Sequence, residues 1–389
     1  MPPYLRIGSL PPKRHVAHRT EPGFRGEGLF YEEVVTTAGF GRAYSILYHL
    51  RPPTRVTRVE PAGALTLEFA TDPALRHHHV KTRRMPSGGD PVSGRVPLLV
   101  NDDVVMSRCR PVAPQEMLFR NAAADELIFI HRGHGRLLSP FGALAVRPHD
   151  YVMIPRCTTY LMEFAPETDP ELLVIESTGH LGIPPRYLNP DGQLKLGAPF
   201  SERDLHGPSE PLVIDREEPT SLMIKDGLRL TRYVLAQHPF DVVGWDGMVY
   251  PYTFNADDFE PITGTVHQPP PVQQTFEAPG FVVCTFAPRL LDTHPEAIKV
   301  PYAHSNVESD EVLYYVEGHF GSRRGVEESS ITLHPHGLPH GPHPGTIVAS
   351  RAQTRTDELA VMVDTFRPLK LTREADEWED PAYPLSWLE

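Results

Sequence analysis

The chain has 389 residues, 40% hydrophobic and 22% charged, enough to bury one large core or two. Its 37 basic and 50 acidic side chains leave a net charge of -13, which excludes the broad basic face a nucleic-acid binder uses to displace counterions. No run approaches the roughly 18 apolar residues of a membrane helix, and Cys109, Cys157 and Cys284 are too few and too scattered for a disulfide framework or a thiolate metal site.

The start, Met1-Pro2-Pro3-Tyr4, lacks a basic segment followed by an apolar one, so no secretory leader and a reducing cytoplasm are expected. The 43 prolines disfavour helices, and a mainly β fold of short strands and long loops is expected. The 20 histidines raise the expectation of a metal site, since neutral imidazole is the commonest protein metal ligand. Taken in chain order, His77-His78-His79 reads as a solvated loop, because no carboxylate stands nearby at a useful spacing. Strand-like runs follow at Leu127-Ile128-Phe129-Ile130 and Tyr151-Val152-Met153-Ile154. The stretch from Gly179 to Pro219, rich in Pro, Gly and charge, reads as an excursion between β modules. Further strands are expected at Phe281-Val282-Val283-Cys284 and Val312-Leu313-Tyr314-Tyr315-Val316. Short strands at this spacing predict a sandwich or jelly roll.

An internal repeat organises these elements. Asp125-Glu126 precedes an apolar run that ends on Gly133, and Asp310-Glu311 precedes another that ends on Gly318 at the same offset. Downstream, Pro155-Arg156-Cys157-Thr158-Thr159-Tyr160 parallels Pro335-His336-Gly337-Leu338-Pro339-His340. These are the two halves of the cupin signature, so a duplicated cupin, a jelly-roll β-sandwich, is expected. Its N-terminal β domain would span 1–255 and its iron-binding domain 256–389. In the second copy the ligand positions fall on His304, Glu311 and His340, with Asn306 where a further histidine often stands. Two histidines and a carboxylate with positions left open are associated with iron(II) enzymes that bind O₂. Asp310 and Glu308 compete for the carboxylate role, and the offset to Gly318 favours Glu311. In the first copy the equivalents are Phe119, Glu126 and Tyr160, which leave one ligand and predict a metal-free half serving packing and a subunit interface.

Further blocks extend the pattern: His238-Pro239-Phe240-Asp241, Tyr250-Pro251-Tyr252, Val266-His267-Gln268-Pro269, Phe286-Ala287-Pro288-Arg289 and Leu333-His334-Pro335. With Pro339-His340-Gly341-Pro342 they resemble the homogentisate 1,2-dioxygenase family, especially its shorter bacterial branch, over nearly the whole chain. The resemblance implies an Fe(II) enzyme that takes a small aromatic substrate and O₂, converting homogentisate to maleylacetoacetate in tyrosine catabolism. It also implies a homo-oligomer, a trimer or hexamer. It assigns His304, Glu311 and His340 to the iron, Asp310 being the position some members use. It makes His267 the catalytic histidine that binds or deprotonates a substrate hydroxyl, and puts His334, Tyr302, Ala303 and Phe320 around the substrate. The family usually carries tyrosine at the positions of Ala303 and Phe320, and its bacterial branch carries histidine at that of Gln273. These departures leave open a family dioxygenase acting on a hydroquinone with a larger or uncharged side chain. A non-catalytic ligand-binding bicupin is the alternative from another class.

Overall fold

The computed structural model describes residues 2–19, 28–71, 74–265, 269–320, 323 and 325–388. The chain is mainly β. Among the described residues every helix is a single turn, such as Thr346–Ala349 and Arg373–Asp376, and none is long and apolar enough to cross a membrane.

Each copy of the repeat is built around one central antiparallel strand. Asp125–Arg132 lies between Asp150–Ile154 and Glu171–Ser177 in an eight-stranded sheet. Asp310–Glu317 lies between Ile331–His334 and Leu359–Thr365 in a six-stranded sheet. Even the register repeats: Glu126 faces Ile154 and Glu176 across the sheet, and Glu311 faces His334 and Asp364. This is the duplicated cupin β-sandwich that the repeat predicts, and all four expected strands form.

The aspartate that opens each central strand has a local structural task. Asp125 accepts the Arg156 backbone N–H at 3.0 Å and the Leu181 N–H at 3.0 Å. Asp310 accepts the His336 N–H at 2.9 Å and the Leu369 N–H at 2.7 Å. Each carboxylate therefore ties its strand to the turn of the second motif and to a later segment. The glycines that close the two strands, Gly133 and Gly318, both have positive φ. Gly318 has φ +91, and a Cβ there would meet the Asp357 carbonyl at 2.2 Å, so only glycine fits.

The halves differ in what covers the outer face of that sheet. Side chains alternate along a strand. Ile128 and Ile130 point into a core shared with Phe119, Leu137 and Met162 of a seven-stranded second sheet, while Leu127 and Phe129 point into the large core common to both halves. Val312, Tyr314 and Val316 enter that same large core. Their alternates Glu311, Leu313 and Tyr315 instead line a cavity of about 650 Å³, walled by the loop through 298–304. Each fully buried aromatic or aliphatic side chain contributes roughly 1.5–3 kcal/mol relative to exposure. On the cavity side Tyr315 is still buried but Leu313 is only partly so, and that position gives up part of this stability.

Edge strands cross between the halves. His78–Val80 pairs with Ile331–His334, and Lys370–Leu371 pairs with Arg95–Val100. The expected solvated loop at His77-His78-His79 is thus corrected: all three side chains are buried. The carboxylate that proximity in sequence could not supply is Glu379, whose Oε1 lies 2.8 Å from His78 Nδ1. His79 Nε2 meets the Ser330 hydroxyl at 2.8 Å. The excursion from Gly179 to Pro219 carries only the short turns Pro185–Tyr187 and Glu202–Asp204 and the two-residue strand Leu205–His206.

Candidate metal centre

His304 and His340 stand on separate loops that a pair of backbone hydrogen bonds joins, His304 N–H to His340 O and His340 N–H to His304 O, each 2.8 Å. This two-residue bridge presents both imidazoles to Glu311, the second residue of the central strand. One donor atom from each of the three lies within 4.8 Å of the others. Glu311 Oε2 is 3.5 Å from His304 Nε2, and Oε1 is 3.4 Å from His340 Nε2. Two donors each about 2.1 Å from one ion at a right angle would stand about 3.0 Å apart, so the spacing leaves room for a cation.

The donor chemistry fits as well. His304 Nδ1 faces the Tyr302 carbonyl at 3.3 Å, and His340 Nδ1 faces the Leu338 carbonyl at 3.1 Å. A proton held on Nδ1 leaves the Nε2 lone pair facing the carboxylate, which is how ligating histidines are oriented. His340 Nε2 is buried and has no hydrogen-bond partner. A buried polar atom without a partner costs about 1–3 kcal/mol, a cost that ligation removes. Burial alone would raise the Glu311 pKa, but the surrounding imidazoles of His304, His334 and His340 hold it well below the usual range. The Glu311 carboxylate in turn raises His304.

Asp310, the competing carboxylate, is turned away. Its Oδ1 also meets His336 Nδ1 at 2.8 Å and its Oδ2 accepts the Leu369 N–H, so both oxygens are engaged away from the cluster. Glu308 is not among the clustered donors either. Tyr302, Ala303 and Gln273 line the cavity together with His304 and Glu311. Phe320 does not; it packs edge-on against Tyr315, ring centres 4.8 Å apart, and lines a neighbouring depression. His267 lies outside the described residues.

His334 departs from its expected place beside the substrate. It sits behind Glu311, fully buried and away from the cavity wall. Its Nδ1 is 2.9 Å from Glu311 Oε1 and its Nε2 is 3.0 Å from the Tyr383 hydroxyl. Burial lowers its pKa to about 3, so the ring is neutral. A neutral ring satisfies both neighbours by donating from Nδ1 to the carboxylate and accepting the Tyr383 proton at Nε2. The reason is the register: position 334 faces Glu311 directly across the strand pair.

Sequence reasoning missed the layer behind these residues. His77 packs edge-on against His334, and Trp387 packs on His77 with ring centres 5.1 Å apart. Trp387 Nε1 donates to the Gly341 carbonyl at 3.1 Å. Nothing in the spacing of His77, Tyr383 or Trp387 marks them, because strand exchange and the returning C-terminal segment bring them in.

Comparison with known proteins adds kinship to this geometry. Residues 109–256 match the family model described as homogentisate 1,2-dioxygenase N-terminal. A candidate dioxygenase of Saccharolobus solfataricus is 40% identical over 390 residues, covering 99% of this chain and 98% of that protein. The homogentisate 1,2-dioxygenase of Rhodopseudomonas palustris is 26% identical over 271 residues, 66% of this chain and 59% of that enzyme, so the match spans about three fifths of its length. Among solved structures, a cupin 2 conserved barrel domain protein from Leptotrichia buccalis aligns with 78% of this chain and 100% of its own, at 8% identity and a TM-score of 0.35.

Proposed function

This chain belongs to the homogentisate dioxygenase-like family, and we propose that it is an iron(II)-dependent, ring-cleaving dioxygenase that converts homogentisate and O₂ to maleylacetoacetate. The observation that carries the reading is the cluster of His304, Glu311 and His340, two of which line a cavity of about 650 Å³, with His340 Nε2 buried and unpartnered. Two imidazoles and one carboxylate on one side of an ion are the donor set of non-haem iron(II) oxygenases. When bound, the iron supplies one centre at which a phenolate and dioxygen can meet in fixed geometry.

The chain's own residues supply the rest. Leu313, Phe286, Ile298 and Met362 form an apolar seat for a ring. His334, held between Glu311 and Tyr383, fixes which carboxylate oxygens face the histidines. His267 takes the phenolic proton, a role suited to an imidazole near neutral pH.

The test is O₂ consumption by protein loaded anaerobically with iron(II), offered homogentisate, gentisate and unsubstituted hydroquinone, with products identified by mass. Uptake with homogentisate and a product heavier by two oxygen atoms is expected. Bound iron with no uptake on any hydroquinone would return the chain to a ligand-binding bicupin.

A further inference from the structure

The segment from Glu379 to Trp387 lies across the back of the metal centre. One end is tied to the strand His78–Val80. Glu379 meets His78 Nδ1 at 2.8 Å and accepts from Arg76 Nη2 at 2.8 Å. The Asp380 N–H donates to the His79 carbonyl at 2.8 Å, and its carboxylate pairs with Lys81 Nζ at 2.7 Å. The other end reaches the turns behind the candidate ligands. The Tyr383 hydroxyl meets His334 Nε2 at 3.0 Å, Trp387 Nε1 donates to the Gly341 carbonyl at 3.1 Å, and Ser386 Oγ lies 2.9 Å from His343 Nε2. The segment therefore touches Glu311 through His334 and His340 through Gly341.

The first contact acts through a tautomer. An ionised carboxylate only accepts, so the proton between His334 and Glu311 Oε1 sits on His334 Nδ1, and Nε2 is left as an acceptor. The Tyr383 hydroxyl is the donor that fills it. Phenylalanine at 383 would turn a bare ring edge to that buried nitrogen. The opposite tautomer, with its lone pair toward Oε1, would then gain ground and leave Glu311 free to turn about the torsion that carries its carboxylate. The second contact acts through the backbone. Gly341 directly follows His340, and a Cβ on it would stand 2.5 Å from the Cα of Ala303, the residue before His304. Its carbonyl accepts from both Trp387 and Arg323. The backbone bridge between His304 and His340 is thus held from behind by the indole, which is itself packed on His77 and His343 at ring distances of 5.1 and 4.5 Å.

We propose that Tyr383 and Trp387 are positioning residues for the metal, acting on Glu311 through His334 and on His340 through Gly341, so that the segment 379–387 is a clasp on which retention of the cation depends. The inference rests on the metal centre of the reading above and adds the residues that hold its donors in place. Hydrogen-bond partners standing behind metal ligands typically change affinity by about 10–100-fold. Linkage makes the effect reciprocal: a clasp that tightens the metal when docked must itself be tightened when the metal binds.

The experiment is anaerobic competition between the whole chain and a chelator for iron(II), with the visible absorption of the cobalt(II)-loaded protein reporting the ligand set. Tyr383→Phe and Trp387→Phe keep aromatic packing and remove one donor each. Each should weaken iron(II) binding about tenfold or more and change the cobalt bands. Tyr151→Phe is the matched control, since it removes another buried hydroxyl, bonded to Thr285 at 2.9 Å. It should hold affinity within about twofold and leave the bands as they are. Hydrogen exchange of the native chain needs no variant to fold: iron(II) should slow the backbone amides of 383–388 by about fivefold or more. Unchanged affinity and bands in both clasp variants overturn the inference and leave the ring-cleaving reading standing. Equal weakening in Tyr151→Phe, or amides at 383–388 that exchange alike with and without metal, overturns it too. A native chain that takes up no metal overturns the reading and the inference together.

Discussion

In the N-terminal half, Glu126 is met by Arg95 Nη1 at 2.6 Å, by the Tyr160 hydroxyl at 2.6 Å and by Asn121 at 3.2 Å. In the C-terminal half, Glu311, at the same place in the equivalent strand, is met by three imidazoles. Arg95 is fully engaged: Nε donates to the Pro91 carbonyl at 3.0 Å, Nη2 donates to Tyr160 at 2.8 Å, and the guanidinium lies over the Phe119 ring at 5.6 Å. Phe119 and Tyr160 are the positions that correspond to His304 and His340. A permanent organic cation thus sits where the other half offers lone pairs. The arginine satisfies its carboxylate, closes the barrel and leaves nothing to coordinate. The imidazoles surround theirs with donors that bring no fixed charge, and the face above them opens into a cavity. One duplicated scaffold supports packing in one copy and a candidate site for chemistry in the other, and the difference lies in a handful of side chains.

Dismantling the C-terminal centre should have the largest effect. His304→Ala and His340→Ala are each expected to lower O₂ consumption by roughly 10³-fold or more, whereas Tyr160→Phe in the other half should leave it within about threefold. Steady-state oxygen electrode measurements check both. Next in size is the arginine. Arg95→Met leaves Glu126 and Glu176 buried beside each other with only Asn121, the Tyr160 hydroxyl and Lys225 to answer them. Stability should fall by about 3–5 kcal/mol in chemical denaturation, with metal content unaffected.

Much of this contrast was legible in the sequence, because it rests on offsets along a strand. The two Asp-Glu pairs, the closing glycines and the paired second motifs fix the repeat, and Phe119 and Tyr160 at the positions of His304 and His340 mark which copy lacks the candidate ligands. Arg95 was not legible: it arrives from a preceding strand, at no constant offset from Glu126. His77, Tyr383 and Trp387 escaped for the same reason, since the contacts that matter join distant segments at no constant offset, 49 residues apart for His334 and Tyr383 and 46 for Trp387 and Gly341. His334 was found but misplaced, because a motif gives a residue's position along the chain and not which side of the carboxylate its ring will take. The choice between Asp310 and Glu311 needed the structure too, as adjacent strand residues face opposite ways.

That choice gives a smaller test. Asp310→Asn and Asp125→Asn each weaken an equivalent clamp and should each cost about 1–3 kcal/mol of stability, both retaining metal and turnover. Loss of metal in Asp310→Asn alone would move the ligand by one residue. Smaller still is a difference in pH dependence. Burial would raise the Glu126 pKa, but the Arg95 charge and the Tyr160 hydrogen bond hold it below its ordinary 4.5. A depressed carboxylate contributes stability that is present above the unfolded value and lost as pH falls through the folded one. The native denaturation midpoint should therefore drop on acidification below 4.5. In Arg95→Met burial acts on Glu126 with far less opposition, and that part of the acid sensitivity should weaken or reverse.

The most direct measurement is the iron content of the purified chain after anaerobic iron(II) loading and removal of excess metal, for the native protein, Glu311→Gln and Glu126→Gln. Elemental analysis should give about one iron per chain for the native protein and for Glu126→Gln, and close to none for Glu311→Gln, as a single facial triad requires. Two irons in the native chain, or iron retained in Glu311→Gln and lost in Glu126→Gln, would contradict the assignment of packing to one half and metal to the other.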